Sequence, residues 1–188
     1  FKPFVYATAF TKGYSGDTVV IDEPTNFGIW GGESYAPQNY DGKFRGPITL
    51  RQALAQSLNI PAVKVLNDLA GLQDSISTAK AMGITTLNQD PSFYGLSLVL
   101  GGGEVRLLDM VSAYGVFAYE GKRVPSFNIL EVKDNEGEIL ESQYKTPITI
   151  LSADVARQIT DILSDNGART PIFGARSPLY FPNERVSA

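Results

Sequence analysis

The first twelve residues, FKPFVYATAFTK, are apolar on every side of a helix rather than along one stripe. Pro3 suits a first helical turn, where a missing N–H goes unnoticed. Phe4, Val5, Ala7, Ala9 and Phe10 follow it, so the pattern predicts a buried helix over residues 1–12. Only Phe1 and Lys2 precede Pro3, and neither can cap that helix, which therefore reads as entered part-way. A second regular pattern starts at Thr49. Thr49 with Gln52 three residues on forms a capping box, and Leu50, Ala53, Leu54 and Leu58 recur at helical spacing behind it. Pro61 is expected to hold Ile60 out of the helix and restart a second one as far as Ala70, with Gly71 as its stop. A third helix covers residues 73–82 and ends at Gly83. Residues 104–120 predict a long helix with Glu104 in its first turn, Leu107, Met110, Val111, Tyr114 and Phe117 facing inward, and Gly121 as its end. Ser152 caps an amphipathic helix over residues 153–167.

The text between these helices is different in kind. Gly16, Pro24, Gly28, Gly31, Gly32, Pro37, Gly42 and Gly46 break residues 13–46 into a long irregular segment with short β pieces such as TVVIDE. Connections of that length tend to be functional or to wrap a surface. FNILEVKDNEGEILESQ reads as a β-hairpin turning at Asp134 to Gly137. The tail from Ala168 is expected to be irregular, and the closing NERVSA to begin a strand. Many helices with few strands imply one mixed α+β domain over residues 1–188, or most of a larger one, with both ends cut inside elements.

Composition narrows the chemistry. With 43% apolar and 19% charged residues the chain is globular, and a net charge of −4 without a basic stripe argues against a general nucleic-acid binder. No apolar run is long enough to span a bilayer. There is no Cys and no His, so no Ser-His-Asp relay or Cys–His pair exists within these residues, and a zinc site would rest on carboxylates alone. A serine nucleophile would need a lysine or a carboxylate as its base. The missing cysteines suit an extracytoplasmic protein and many cytosolic ones alike.

Three places could carry chemistry. Lys2, taken alone, reads as a solvated charge. Yet it stands at the positive end of a buried helix, a setting that depresses its pKa and suits a base. Ser57 and Asn59 offer a hydroxyl and a carboxamide two residues apart at a tight helix–helix corner, where simple capping would explain them equally well. LVLGGGEVRLL has three successive glycines before a helix. It lacks the spacing of a P-loop or a dinucleotide fingerprint, so close backbone packing explains it better than an anion cradle.

Together these stretches resemble a known family. FKPF is similar to the end of the Ser-x-x-Lys-Pro-Phe motif in the transpeptidase domain of class A, bifunctional penicillin-binding proteins. RQALAQSLNIPAVKVL resembles that family's Ser-x-Asn motif with its flanking helices, and YAPQNYDGKFRGPITLR the segment leading to it. LVLGGGEVRLLDMVSAYGVFAYEGKRVPSF is similar to the long stretch after that motif, and SPLYFPNERVSA to the run into a third, so the likeness covers nearly the whole chain. The resemblance implies the α+β fold shared with serine β-lactamases, an antiparallel sheet flanked by helices. It implies a nucleophilic serine three residues before Lys2, ahead of Phe1, and a Lys-Thr-Gly strand close behind Ala188, both outside these residues. The roles it implies are Lys2 as base, Ser57 as proton relay and Asn59 as substrate holder, with no metal or cofactor. It implies a D,D-transpeptidase acting on the D-Ala-D-Ala end of peptidoglycan stem peptides and trapped by β-lactams, outside the cell membrane and anchored through its parent polypeptide. The 188 residues alone are then expected to be inactive, with the remaining pieces of the domain as partners. A penicillin-recognising sensor and a serine β-lactamase are the alternatives.

Overall fold

The computed structural model describes all residues except Gly31, Tyr144, Lys145, Arg185 and Ala188, with Trp30 described by its backbone only. Helix α1 spans Lys2–Thr11, with Phe1 at the N-cap position and no side-chain cap. Every residue from Pro3 to Phe10 is buried, as an all-round apolar helix requires. The irregular segment after it is stitched at its ends. Strand β1 (Val19–Asp22) pairs antiparallel with β4 (Gly46–Thr49), from Val19 opposite Thr49 to Asp22 opposite Gly46. The short pair β2 (Ile29–Trp30) and β3 (Glu33–Ser34) lies between them.

Thr49 ends β4 and caps α2 (Leu50–Ala55). Its hydroxyl accepts the Gln52 N–H at 3.2 Å while the Gln52 side chain accepts the Thr49 N–H at 3.2 Å. Helix α3 (Asn59–Lys64) begins two residues before Pro61, so Ile60 is helical and Pro61 does not restart the helix. The first-turn N–H groups have no intrahelical partners, so a proline there removes nothing. A π-helical turn over Val65–Ala70 continues α3 to Gly71 at φ 80°, and α4 (Leu72–Met82) ends at Gly83. Helix α1 packs against α2, α3, the Val65–Ala70 turn and α4.

After α5 (Pro91–Tyr94) and a 3₁₀ turn over Gly95–Leu100 comes the triple glycine. A Cβ on Gly102 would lie 2.5 Å from Ser97 Oγ, and one on Gly103 would lie 2.9 Å from Leu98 Cδ1, so close packing accounts for both. Helix α6 starts only at Leu107 and runs to Ala118, leaving Glu104 outside it. It is also rotated from the expected face. Phe117 is buried, but Leu107 is 79% and Val111 62% exposed, Tyr114 is exposed and Met110 is half-buried. The inward positions are Asp109, Ala113, Val116 and Phe117. Asp109 sets that rotation by accepting the Thr85 N–H at 2.9 Å and the Thr85 hydroxyl.

Strand β5 (Lys122–Arg123) pairs with β8 (Ile148–Thr149), and the hairpin β6 (Glu131–Lys133) and β7 (Ile139–Ser142) stands between them as expected. Among the described residues the strands pair only two at a time, always antiparallel. Ser152 caps α7 (Ala153–Ser164), which buries Val155, Ala156, Ile159, Ile162 and Leu163 and also packs against α1. The tail is not irregular from Ala168. Asp165 caps a further helix, α8 (Asn166–Phe173), despite Pro171 inside it, and buried Arg169 ties α8 to the Leu163 and Leu179 carbonyls. Of the strand expected at the C-terminus, Arg185 and Ala188 lie outside the described residues, and Glu184, Val186 and Ser187 are in no strand. No helix among the described residues is long and apolar enough to cross a membrane.

Candidate active site

Lys2 is the first residue of α1, and the corner between α2 and α3 folds over it. Helix α2 ends in a Schellman motif: the Ser57 N–H donates to the Leu54 carbonyl at 2.9 Å and the Leu58 N–H to the Ala53 carbonyl at 3.0 Å. The residue between these bonds must be left-handed, a place that favours glycine. Here it is Ser57, at φ 53°. The strained backbone turns the serine carbonyl and hydroxyl toward α1. Lys2 Nζ donates to the Ser57 carbonyl at 2.6 Å, to Ser57 Oγ at 3.0 Å and to Asn59 Oδ1 at 2.9 Å. The three residues singled out in the sequence thus meet at one nitrogen.

Three acceptors stabilise the ammonium form, yet burial outweighs them and lowers the Lys2 pKa from 10.5 to about 8. Desolvation, rather than the helix dipole expected from the sequence, is the main cause of that depression. The site opens into a cleft of about 390 Å³ lined by Lys2, Ser57, Asn59, Val99, Tyr114 and Arg169. A larger cleft of about 1280 Å³, between α6 and α7, contains none of the three residues.

A second layer lies behind the corner. Asn59 Nδ2 donates to the Gln38 carbonyl at 2.8 Å. Asn39 Oδ1 accepts the backbone N–H of Asn59 at 2.9 Å and of Ile60 at 3.3 Å. Asn39 Nδ2 donates to both oxygens of Asp22, at 2.8 and 2.9 Å, and Asp22 is fully buried. Sequence reasoning missed Asn39, Asp22 and Arg169. The two-residue period of a strand puts Asp22 on the same face as Val20 in TVVID, the one local hint that Asp22 points inward. Among the described residues no cluster of acidic side chains could hold a metal ion.

The chain matches the family model described as the penicillin binding protein transpeptidase domain over residues 1–174. It belongs to that family. Penicillin-binding protein 1A of Neisseria lactamica is 37% identical over 141 residues, which is 74% of this chain and 17% of that protein. Penicillin-binding protein 2D of Bacillus subtilis is 40% identical over 149 residues, 78% of this chain and 20% of that protein. The chain therefore spans about a fifth of the length of these relatives. Among solved structures, penicillin-binding protein 1A of Haemophilus influenzae superposes with a TM-score of 0.75 at 25% identity, covering 89% of this chain and 28% of that one. PonA1 of Mycobacterium tuberculosis, solved in complex with penicillin V, gives a TM-score of 0.75 at 24% identity over 93% of this chain and 46% of that one. The mixed helix and strand order is the α+β fold of the penicillin-binding transpeptidase domains.

Proposed function

We propose that the cleft at Lys2 is the lysine and Ser-x-Asn half of a peptidoglycan D,D-transpeptidase site that takes D-Ala-D-Ala stem peptides and is acylated by β-lactams. The meeting of Lys2 Nζ with Ser57 Oγ and Asn59 Oδ1 carries the reading. A serine three positions ahead of Lys2 would neighbour it on one helix face. Neutral Lys2 takes that hydroxyl proton as the serine oxygen attacks the carbonyl of the penultimate D-Ala. With a pKa of about 8, roughly one lysine in ten is neutral at pH 7, enough for a base working near its pKa.

Ser57 Oγ accepts the proton from Lys2 and passes its own to the nitrogen of the departing D-Ala. Asn59 trades one of its present bonds for the substrate's backbone amide. An amine of a neighbouring stem then attacks the acyl carbonyl, forming the cross-link and returning the serine hydroxyl. The relatives' names and the penicillin V complex of PonA1 support β-lactams as ligands. Such a site lies outside the cell membrane, where peptidoglycan is assembled.

Intact mass before and after benzylpenicillin tests it. The 188 residues hold no serine three positions ahead of Lys2, so we expect no added mass on Lys2 or Ser57. A chain lengthened by Ser-Ala ahead of Phe1 and by a relative's Lys-Thr-Gly strand behind Ala188 restores both motifs that the resemblance places outside these residues. It should gain one lactam, and its Lys2→Ala variant should not. An adduct on the unlengthened chain, or a folded lengthened chain that stays unmodified, would overturn the reading. An adduct that hydrolyses quickly would mark a β-lactamase instead.

A further inference from the structure

We propose that Asn39, anchored on buried Asp22, is a positioning residue for the lysine site. It holds Asn59 and the 57–59 corner over Lys2 by capping α3 from another segment of the chain. The inference rests on the reading of Lys2 as the base. Helix α3 has no cap of its own, because its N-cap residue is Leu58. Its first-turn donors, the N–H groups of Asn59 and Ile60, converge instead on Asn39 Oδ1 from twenty residues upstream. One side-chain oxygen thus does for α3 what Thr49 Oγ1 does for α2, but from a distance.

Asn39 cannot rotate away, because its amide hydrogens are spoken for. Nδ2 donates to both Asp22 oxygens and to the Lys43 carbonyl at 2.9 Å. Asp22 is in turn fixed by the Arg45 N–H at 3.0 Å and by the Arg45 guanidinium at 3.8 Å. Asn39 is 3% and Asp22 0% exposed, so neither can exchange these bonds for water. A buried carboxylate accepting several N–H bonds is a stiff anchor, and losing one partner strands the others. The order of contacts is therefore Arg45, Asp22, Asn39, Asn59, Lys2. Asn39 makes no hydrogen bond to Lys2 and does not line the cleft, so the hydrogen-bonded route from it to the lysine runs through Asn59 and the corner.

Among the described residues, the other ionisable groups that line the cleft with Lys2 are the Phe1 amine, Tyr114 and Arg169. None of them bonds to Asn39, so replacing Asn39 leaves their number and charge unchanged.

The test is NMR titration of the Lys2 side chain in the folded 188-residue chain, with thermal melting alongside. In Asn39→Ala the corner loosens, water reaches Nζ, and the Lys2 pKa climbs from about 8 toward the ordinary lysine value of about 10.4. Asn39→Ser keeps an acceptor for the two amides and should recover part of the depression. A residue that only stabilised the fold would lower the melting temperature and leave Lys2 at about 8, and that result in either folded variant would overturn the proposal. Amide exchange in the unaltered chain decides the matter should both variants unfold. The Asn39 side-chain amide and the backbone N–H groups of Asn59 and Ile60 should be strongly protected, and exchange of the Asn39 amide at the free rate would overturn it. These readouts do not depend on whether the chain takes part in transpeptidation.

Discussion

The Lys2 corner and helix α6 are both oriented by a buried carboxylate, and they end with opposite surfaces. At the corner, Asp22 anchors Asn39, Asn39 caps α3, and the corner delivers polar groups to an open cleft. On α6, Asp109 docks onto Thr85 and so rolls Leu107, Leu108 and Val111 outward. The apolar content of a helix says that it can be buried, not which side will be. A polar residue with one fixed partner decides that, because a stranded buried carboxylate costs more than a few exposed methyl groups.

Truncations on the two sides give the largest expected effect. Phe4 is fully buried, with ring centroids 5.3 Å from Phe1, 5.6 Å from Tyr114 and 5.9 Å from Phe117. Phe4→Ala should cost about 3–5 kcal/mol in denaturant unfolding. Leu107→Ala, at a position 79% exposed, should stay within about 0.5 kcal/mol. A comparable loss at Leu107 would break the comparison, for it would mean that the outer face of α6 is covered in solution.

The burial of Lys2 is sharpened by pH. Its folded pKa, about 8, lies below the unfolded value of about 10.4, so between the two the unfolded chain binds more protons. Stability then rises with pH, by about 2 kcal/mol from pH 8 to 10. Above pH 10 the sign turns, because burial pushes the Tyr6 phenol above its ordinary value and the unfolded chain gives up that proton first. Lys2→Met should abolish the rise and keep the fall. A rise that survived in Lys2→Met would show that another group carries it.

How far a feature could be read in advance depends on how local its signal is. The Thr49 and Ser152 caps, the burial of α1 and the 131–142 hairpin depend on neighbours in sequence, and all were legible. Lys2, Ser57 and Asn59 were legible as a group only through family resemblance. Read residue by residue, a lysine at a helix start and an S-x-N corner are ordinary features. The rotation of α6 depends on a bond from Asp109 to Thr85, twenty-four residues away, which periodicity cannot see. Helix α8 survives Gly167 and Pro171 through its Asp165 cap and the tertiary bonds of Arg169. Asn39 was hidden for the same reason, since its partners Asp22 and Asn59 lie seventeen and twenty residues away.

The smallest effect tests the strain at the corner. Ser57 occupies a left-handed position, at φ 53°, where a side chain costs about 1–2 kcal/mol and glycine nothing comparable. Glycine adds back about 0.5–1 kcal/mol of unfolded-state entropy. Ser57→Gly and Ser57→Ala both remove the hydroxyl that accepts from Lys2, so the difference between them isolates the backbone. Glycine should be the more stable by about 1 kcal/mol in matched urea titrations, the strain being a cost of presenting that hydroxyl to Lys2. Equal stabilities would mean that the Schellman bonds of Ser57 and Leu58 relax around either residue, and that no strain is held at the corner.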